Sequence, residues 1–164
     1  MKLTFQTISY ESLSARQKES YNFQKVSAIM ADFGFATIRL NDDWQGADFL
    51  AQHIDGQTIL RVQLKGRVTI QKKYQNKGLW MCFRDKETWY LYPHDDVMNQ
   101  ILARTGVEQT ESWRDKGGYS FPYLTNDIAD ILREYRLEET KTAIERCLPV
   151  ARSGPLDAHG EVSP

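Results

Sequence analysis

A chain of 164 residues that is 41% hydrophobic and 12% aromatic can bury a core of its own, which excludes a disordered or fibrous protein. No apolar run approaches the roughly 20 residues of a membrane span, and the opening MKLTFQTISYES has no cationic-then-apolar export segment, so a cytoplasmic protein with no membrane partner is expected. The net charge of −1 excludes wholesale electrostatic attraction to nucleic acid, but not a local cationic face.

Residues 1 to 13 show no period and are expected to form an extended arm. Ser14 followed by Gln17 is a capping-box pattern, which starts a helix near Ala15. Phe23, Val26, Ile29, Met30 and Phe33 recur at helical spacing, and Gly34 suits the C-cap. Phe35 to Leu40 is β-branched and apolar enough for a strand, NDDWQG is loop-like, and Ala47 to Ile54 is a second strand. Asp55-Gly56 signals a tight hairpin into a third strand, Gln57 to Leu64. On that strand Ile59, Arg61 and Gln63 share one face, and Leu60, Val62 and Leu64 the other. After Gly66, Val68 to Ile70 continues extended, and QKKYQNKG is polar loop.

LWMCF and TWYLY are aromatic strands joined by a turn at Arg84 to Glu87, and Asp95 or Asp96 is placed to cap a helix through Leu102. Residues 104 to 123 are expected to be a long connection, followed by a helix capped by Thr125 or Asn126 and another near Thr140 to Leu148. Residues 1–150 then form one domain, and 151–164 has the composition of a disordered tail. Cys82 and Cys147 fit no metal spacing and are expected as buried thiols. A strand cluster flanked by helices is an α+β or three-layer α/β arrangement.

Three residues are candidates for chemistry. Asp48 stands seven positions before Asp55, and Gln63 seven after Gly56, so a tight two-residue turn at Asp55-Gly56 places them opposite each other. Lys65 shares the face of Gln63. A carboxylate and an amide oxygen make a partial shell for Mg²⁺, and an adjacent ammonium can position water or phosphate. From Gly56 to Arg84 there is no acid, while Arg67, Lys72, Lys73 and Lys77 are basic, which offers a phosphate-binding surface. The His94-Asp95-Asp96 run is more economically a helix cap than a metal site. Trp113 to Gly118 is more simply structural than a second nucleic-acid loop.

The pattern Gly46-Ala47-Asp48-Phe49-Leu50 followed by Gln63-Leu64-Lys65, behind a helix and a strand, resembles the PD-(D/E)xK nuclease superfamily. It is most like the small group I intron endonuclease and resolvase-type members, over roughly Ser14 to Leu102. The resemblance implies a restriction-endonuclease-like mixed central sheet of about five strands flanked by helices, and a Mg²⁺- or Mn²⁺-dependent DNA endonuclease. Asp48 and Gln63 would hold the metal, Lys65 would be the catalytic lysine, and Glu19 on the leading helix would help complete the site. Gln63 stands where most members carry Glu, and Ala47 where the pattern has Pro. Those departures keep open a catalytically inactive nuclease-fold module that binds nucleic acid or a protein partner. Cutting both strands of a duplex with one site per chain implies a homodimer. A small cytosolic protein with an unrelated role is the third reading.

Overall fold

A computed structural model describes residues 5–137, without the side chains of Asp43 and Trp44. The expected helix near 140–148, Cys147 and the tail lie outside the described residues. Helix α1 (Ala15–Asp32) begins at the anticipated box: Gln17 N donates to Ser14 Oγ and Ser14 N donates to Gln17 Oε1, which satisfies two donors the first turn would otherwise leave unpaired. It ends where Gly34 takes φ +79°, and a side chain there would press on the His53 ring at 3.2 Å. Upstream, the expected arm carries one 3₁₀ turn, Tyr10–Ser12.

Strand β1 (Phe35–Trp44) is longer than its composition indicates, because NDDW continues the strand instead of leaving it. The reversal into β2 (Ala47–His53) falls on Gln45 and Gly46 alone, both at positive φ, with Trp44 paired to Ala47. A register irregularity between Arg39 and Trp44 absorbs the polar residues. The next reversal is centred between Asp55 and Gly56 but is wider than a two-residue turn: the last bond, His53 N to Thr58 O at 2.9 Å, encloses four residues. Asp55 braces it by accepting from Gln57 N and Thr58 N, both at 2.8 Å, and from the Thr58 hydroxyl, which holds its carboxyl well below the usual range. Widening about the same centre leaves the register unchanged, and β3 (Ile59–Lys65) pairs Phe49 with Val62.

Residues 69–71 form β4 (Thr69–Gln71), which leaves the main sheet and pairs with β7 (Gly118–Ser120). The chain returns as β5 (Leu79–Asp85), parallel to β3, and β6 (Thr88–Pro93) pairs antiparallel with it. The sheet is therefore mixed, five strands in the order β1-β2-β3-β5-β6. Helix α2 (His94–Arg104) follows Pro93, and no side chain caps it. The expected cap, Asp95, instead accepts from Asn76 N at 2.9 Å and pins the loop after β4. The supposed connection 104–123 is structured, with a 3₁₀ turn at Gly106–Gln109, α3 (Glu111–Lys116) and β7, and Trp113 is buried. Helix α4 (Asn126–Leu132) closes the described chain, with a short turn behind it.

Two cores lie on the two faces of the sheet. Val26 and Met30 of α1 pack with Phe49, Ala51, Leu60, Val62, Cys82 and Leu91. On the other face Met81, Phe83, Tyr90 and Tyr92 pack with Val97, Met98, Ile101, Ile128 and Leu132 of α2 and α4. The alternation in β3 sends Leu60, Val62 and Leu64 toward α1, so Gln63 and Lys65 belong to the opposite face. Burial holds the Cys82 thiol far above its ordinary pKa, as an inert core thiol.

Candidate active site

The register that pairs Phe49 with Val62 sets Asp48 beside Gln63 at the end of β3. Gln63 is only 7% exposed, a depth at which an amide needs a partner, and its Nε2 donates to Asp48 Oδ2 at 2.5 Å. Leu64 N donates to the same oxygen at 2.7 Å. Burial raises the Asp48 pKa above the ordinary carboxylate value, and Glu19 adds to the rise. The Leu64 amide, the nearby Lys65 ammonium and the Gln63 amide pull the other way. A half-buried carboxylate held by fixed donors keeps its other oxygen available to a cation.

Asp48, Gln63 and Lys65 line one open cleft of about 360 Å³, together with Glu19, Asp42, Lys73 and Tyr74. The three residues singled out on the strands thus converge. Glu19 reaches the same cleft, but its carboxylate is committed to Arg39 at 2.9 Å, and Arg39 is also held by Ser20. Among the described residues no three His, Cys, Asp or Glu side chains gather closely enough to cage an ion.

Tyr74 shapes the cleft. The Lys65 Nζ lies 5.4 Å and the Lys73 Nζ 4.9 Å from its ring centroid, so one aromatic face system steadies two ammonium groups beside the Asp48 carboxylate. The ring packs edge-on against the buried His94, whose Nε2 accepts from Gln71 N at 3.2 Å and whose Nδ1 meets Asp95. Burial lowers the His94 pKa, with Asp95 opposing. Those contacts make His94 a fastener for the Tyr74 turn, a structural role different from the helix cap expected of this run.

The basic stretch does not form one patch. Lys73 joins the cleft, whereas Lys72 lies over the Trp113 ring at 5.1 Å, and Arg67 lines a separate cavity. The Lys77 backbone carbonyl accepts from the Arg61 guanidinium, which turns Arg61 toward the loop before β5. Asp42 and Tyr74 are the cleft residues that sequence reasoning passed over. Both sit in segments whose polar composition indicates loop, and only the Gln45-Gly46 pair hints that β1 runs on to place Asp42.

No family model matches the chain, and no curated protein matches it. Among solved structures the chain is similar to Hjc, a Holliday junction resolvase from Archaeoglobus fulgidus, at 14% identity and a TM-score of 0.35, over 43% of this chain and 74% of that one. It is also similar to a bacterial homing endonuclease at 12% identity and a TM-score of 0.43, over 76% of this chain and 88% of that one. The chain is built on a mixed five-strand sheet flanked by helices, with Asp48, Gln63 and Lys65 toward the end of the sheet where Asp48 of β2 lies beside Gln63 of β3.

Proposed function

We propose that the chain is a metal-dependent endonuclease that hydrolyses phosphodiester bonds of DNA in the Asp48 cleft. The observation that carries this reading is the pairing of Gln63 with Asp48 at 2.5 Å, with Lys65 in the same cleft. The donor set suits Mg²⁺ or Mn²⁺ in a site that the substrate completes. Mg²⁺ keeps several waters and takes one or two carboxylates plus phosphate oxygens, and here Asp48 offers a carboxylate and Gln63 an amide carbonyl. When bound, such an ion supplies positive charge to the crowded pentavalent transition state and acidifies a coordinated water.

The protein's own groups do the rest. Asp48 would hold such an ion through its carboxylate, which Leu64 N keeps oriented. Lys65, steadied over Tyr74, donates hydrogen bonds to the attacking water or to a non-bridging phosphate oxygen. Lys73 lies over the same ring and balances charge on the phosphate as the bond to the leaving oxygen breaks. A symmetric pair of chains would supply one such cleft to each strand of a duplex.

The test is incubation of linear, supercoiled and branched DNA with Mg²⁺ or Mn²⁺. Cleavage by the native chain that is lost in Asp48→Ala and Lys65→Ala supports the reading; no cleavage, or cleavage that survives both, refutes it. The one carboxylate in the Asp48–Gln63 pair, with Gln63 neutral, specifically favours a second reading, a nuclease-fold module that binds nucleic acid or a protein without cutting. That module would show DNA binding without Asp48-dependent uptake of the ion.

A further inference from the structure

A cavity of about 470 Å³ lies between α1 and the β5–β6 turn and adjoins the Asp48 cleft across Lys65, which lines both. A smaller cavity of about 190 Å³ shares Gly66 and Arg84 with it, so the hollow continues past the end of β3 toward Arg67. Arg84, near the end of β5, lies at the junction. Its Nη2 pairs with Glu87 at 2.6 Å, but its Nε is buried and has no partner among the described residues. Asn22 of α1 lines the same cavity: its Nδ2 donates to the Tyr10 hydroxyl at 2.9 Å, while Oδ1 is buried and unpartnered. Both atoms belong to residues that line the cavity, and a buried polar atom without a partner calls for one.

The chemistry of the lining identifies that ligand. Lys65, Arg84 and Lys86 bring three positive charges to the cavity. Two carboxylates share the lining, Glu87 paired with Arg84 and Glu11 accepting from the Ser9 hydroxyl at 2.5 Å, so three cations face two acids and the balance is positive. The Arg84 Nε is a fixed charged donor, and the Asn22 amide turned over presents its Nδ2 while Tyr10 donates to Oδ1, an exchange of isosteric ends. Such a set fits a tetrahedral anion with several acceptor oxygens.

We infer that this cavity, through Arg84 and Asn22, binds a backbone phosphate of the DNA strand next to the one held over Lys65. The inference rests on the proposed function and deepens it: the strand runs from the Asp48 cleft past Lys65 and Gly66, between α1 and the β5–β6 turn. Arg84 and Asn22 are binding residues that carry no part of bond cleavage.

The experiment is fluorescence anisotropy of a labelled DNA duplex with the full chain, with Ca²⁺ in place of Mg²⁺, over a series of salt concentrations. Arg84→Gln is expected to weaken binding about tenfold and to make the slope of log affinity against log salt shallower by about one phosphate contact. Arg84→Lys keeps the charge and loses the Nε, so it falls between. Asn22→Asp, an isosteric change that faces the phosphate with a carboxylate, is expected to weaken binding at least as much; it carries the test should Arg84→Gln lose its circular dichroism spectrum. Native affinity and native salt slope in both variants, from a chain that binds and cleaves DNA, would overturn this inference alone. A native chain that binds no DNA would overturn it together with the function on which it rests.

Discussion

Gln63→Glu tests the electrostatics of the cleft without removing any atom from it. The substitution replaces a donor at 2.5 Å from Asp48 Oδ2 with a second carboxylate at a position only 7% exposed. Two carboxylates in contact have their charges about 4 Å apart, which at an effective dielectric near 20 is a repulsion of about 4 kcal/mol. Asp48 is only half-buried, and solvent screening on its open side reduces this to about 2 kcal/mol. Below the ordinary carboxylate range the pair is protonated and costs nothing. The folded-state pKa of the pair is raised, so stability present in acid is lost as pH rises through that raised value. In EDTA near neutral pH the variant should therefore melt about 5 °C below the native chain, and acid should erase the difference. Saturating Mg²⁺ should restore it as well, since a ligand at about a hundred times its Kd adds about 2.7 kcal/mol. Scanning calorimetry or thermal denaturation followed by circular dichroism reads all three conditions. A variant as stable as the native chain at neutral pH in EDTA, or one whose melting ignores Mg²⁺, would refute the placement of the two side chains as ion ligands.

Three further outcomes are expected. Asp48→Asn removes a charge that burial disfavours; because the Asp48 pKa is raised, the native chain loses stability as pH rises through it, so the variant should melt higher at neutral pH, lose that advantage in acid, and cleave nothing. Gly46→Ala should destabilise the fold by about 2 kcal/mol in urea titrations, since φ there is +96° and the new Cβ would stand 2.9 Å from the Tyr74 ring and from Leu79. The His94 pKa is lowered by burial, so the stability of its neutral form is complete above the ordinary histidine value and is lost as pH falls through the lowered one; hydrogen-exchange protection factors at the Gln71 and Asn76 amides, corrected for the intrinsic pH dependence of exchange, should fall on acidification ahead of those in the core of β3.

The parts of the fold legible in the sequence are those set by local chemistry. The capping box of Ser14 and Gln17, the apolar stripe of α1 and the alternation in β3 each satisfy short-range rules, and each stands where those rules place it. The site was legible for a different reason. A hairpin's register depends on its centre and not on its width, so the Asp55-Gly56 signal aligned Asp48 with Gln63 even though the loop is wider than a tight turn. What escaped is long-range. Asn41 and Asp42 have poor strand propensity, and β1 carries them only because β2 pairs with its end and a register irregularity absorbs them. The role of Tyr74 depends on β4 leaving the sheet to meet β7, a pairing across some fifty residues with no local signature. The basic run scattered for the same reason: Lys72, Lys73 and Arg67 are close in sequence, but a 3₁₀ turn and the crossover send them to different surfaces.

The most direct test follows the ion itself. Electron paramagnetic resonance of Mn²⁺ titrated into the chain with an uncleavable phosphorothioate duplex counts bound ions without relying on turnover. The prediction is an ion that the native chain takes up more tightly with the duplex present, and that Asp48→Ala loses while still binding the duplex. Equal Mn²⁺ uptake by Asp48→Ala, or none by the native complex, would contradict a metal-dependent site at Asp48 and Gln63.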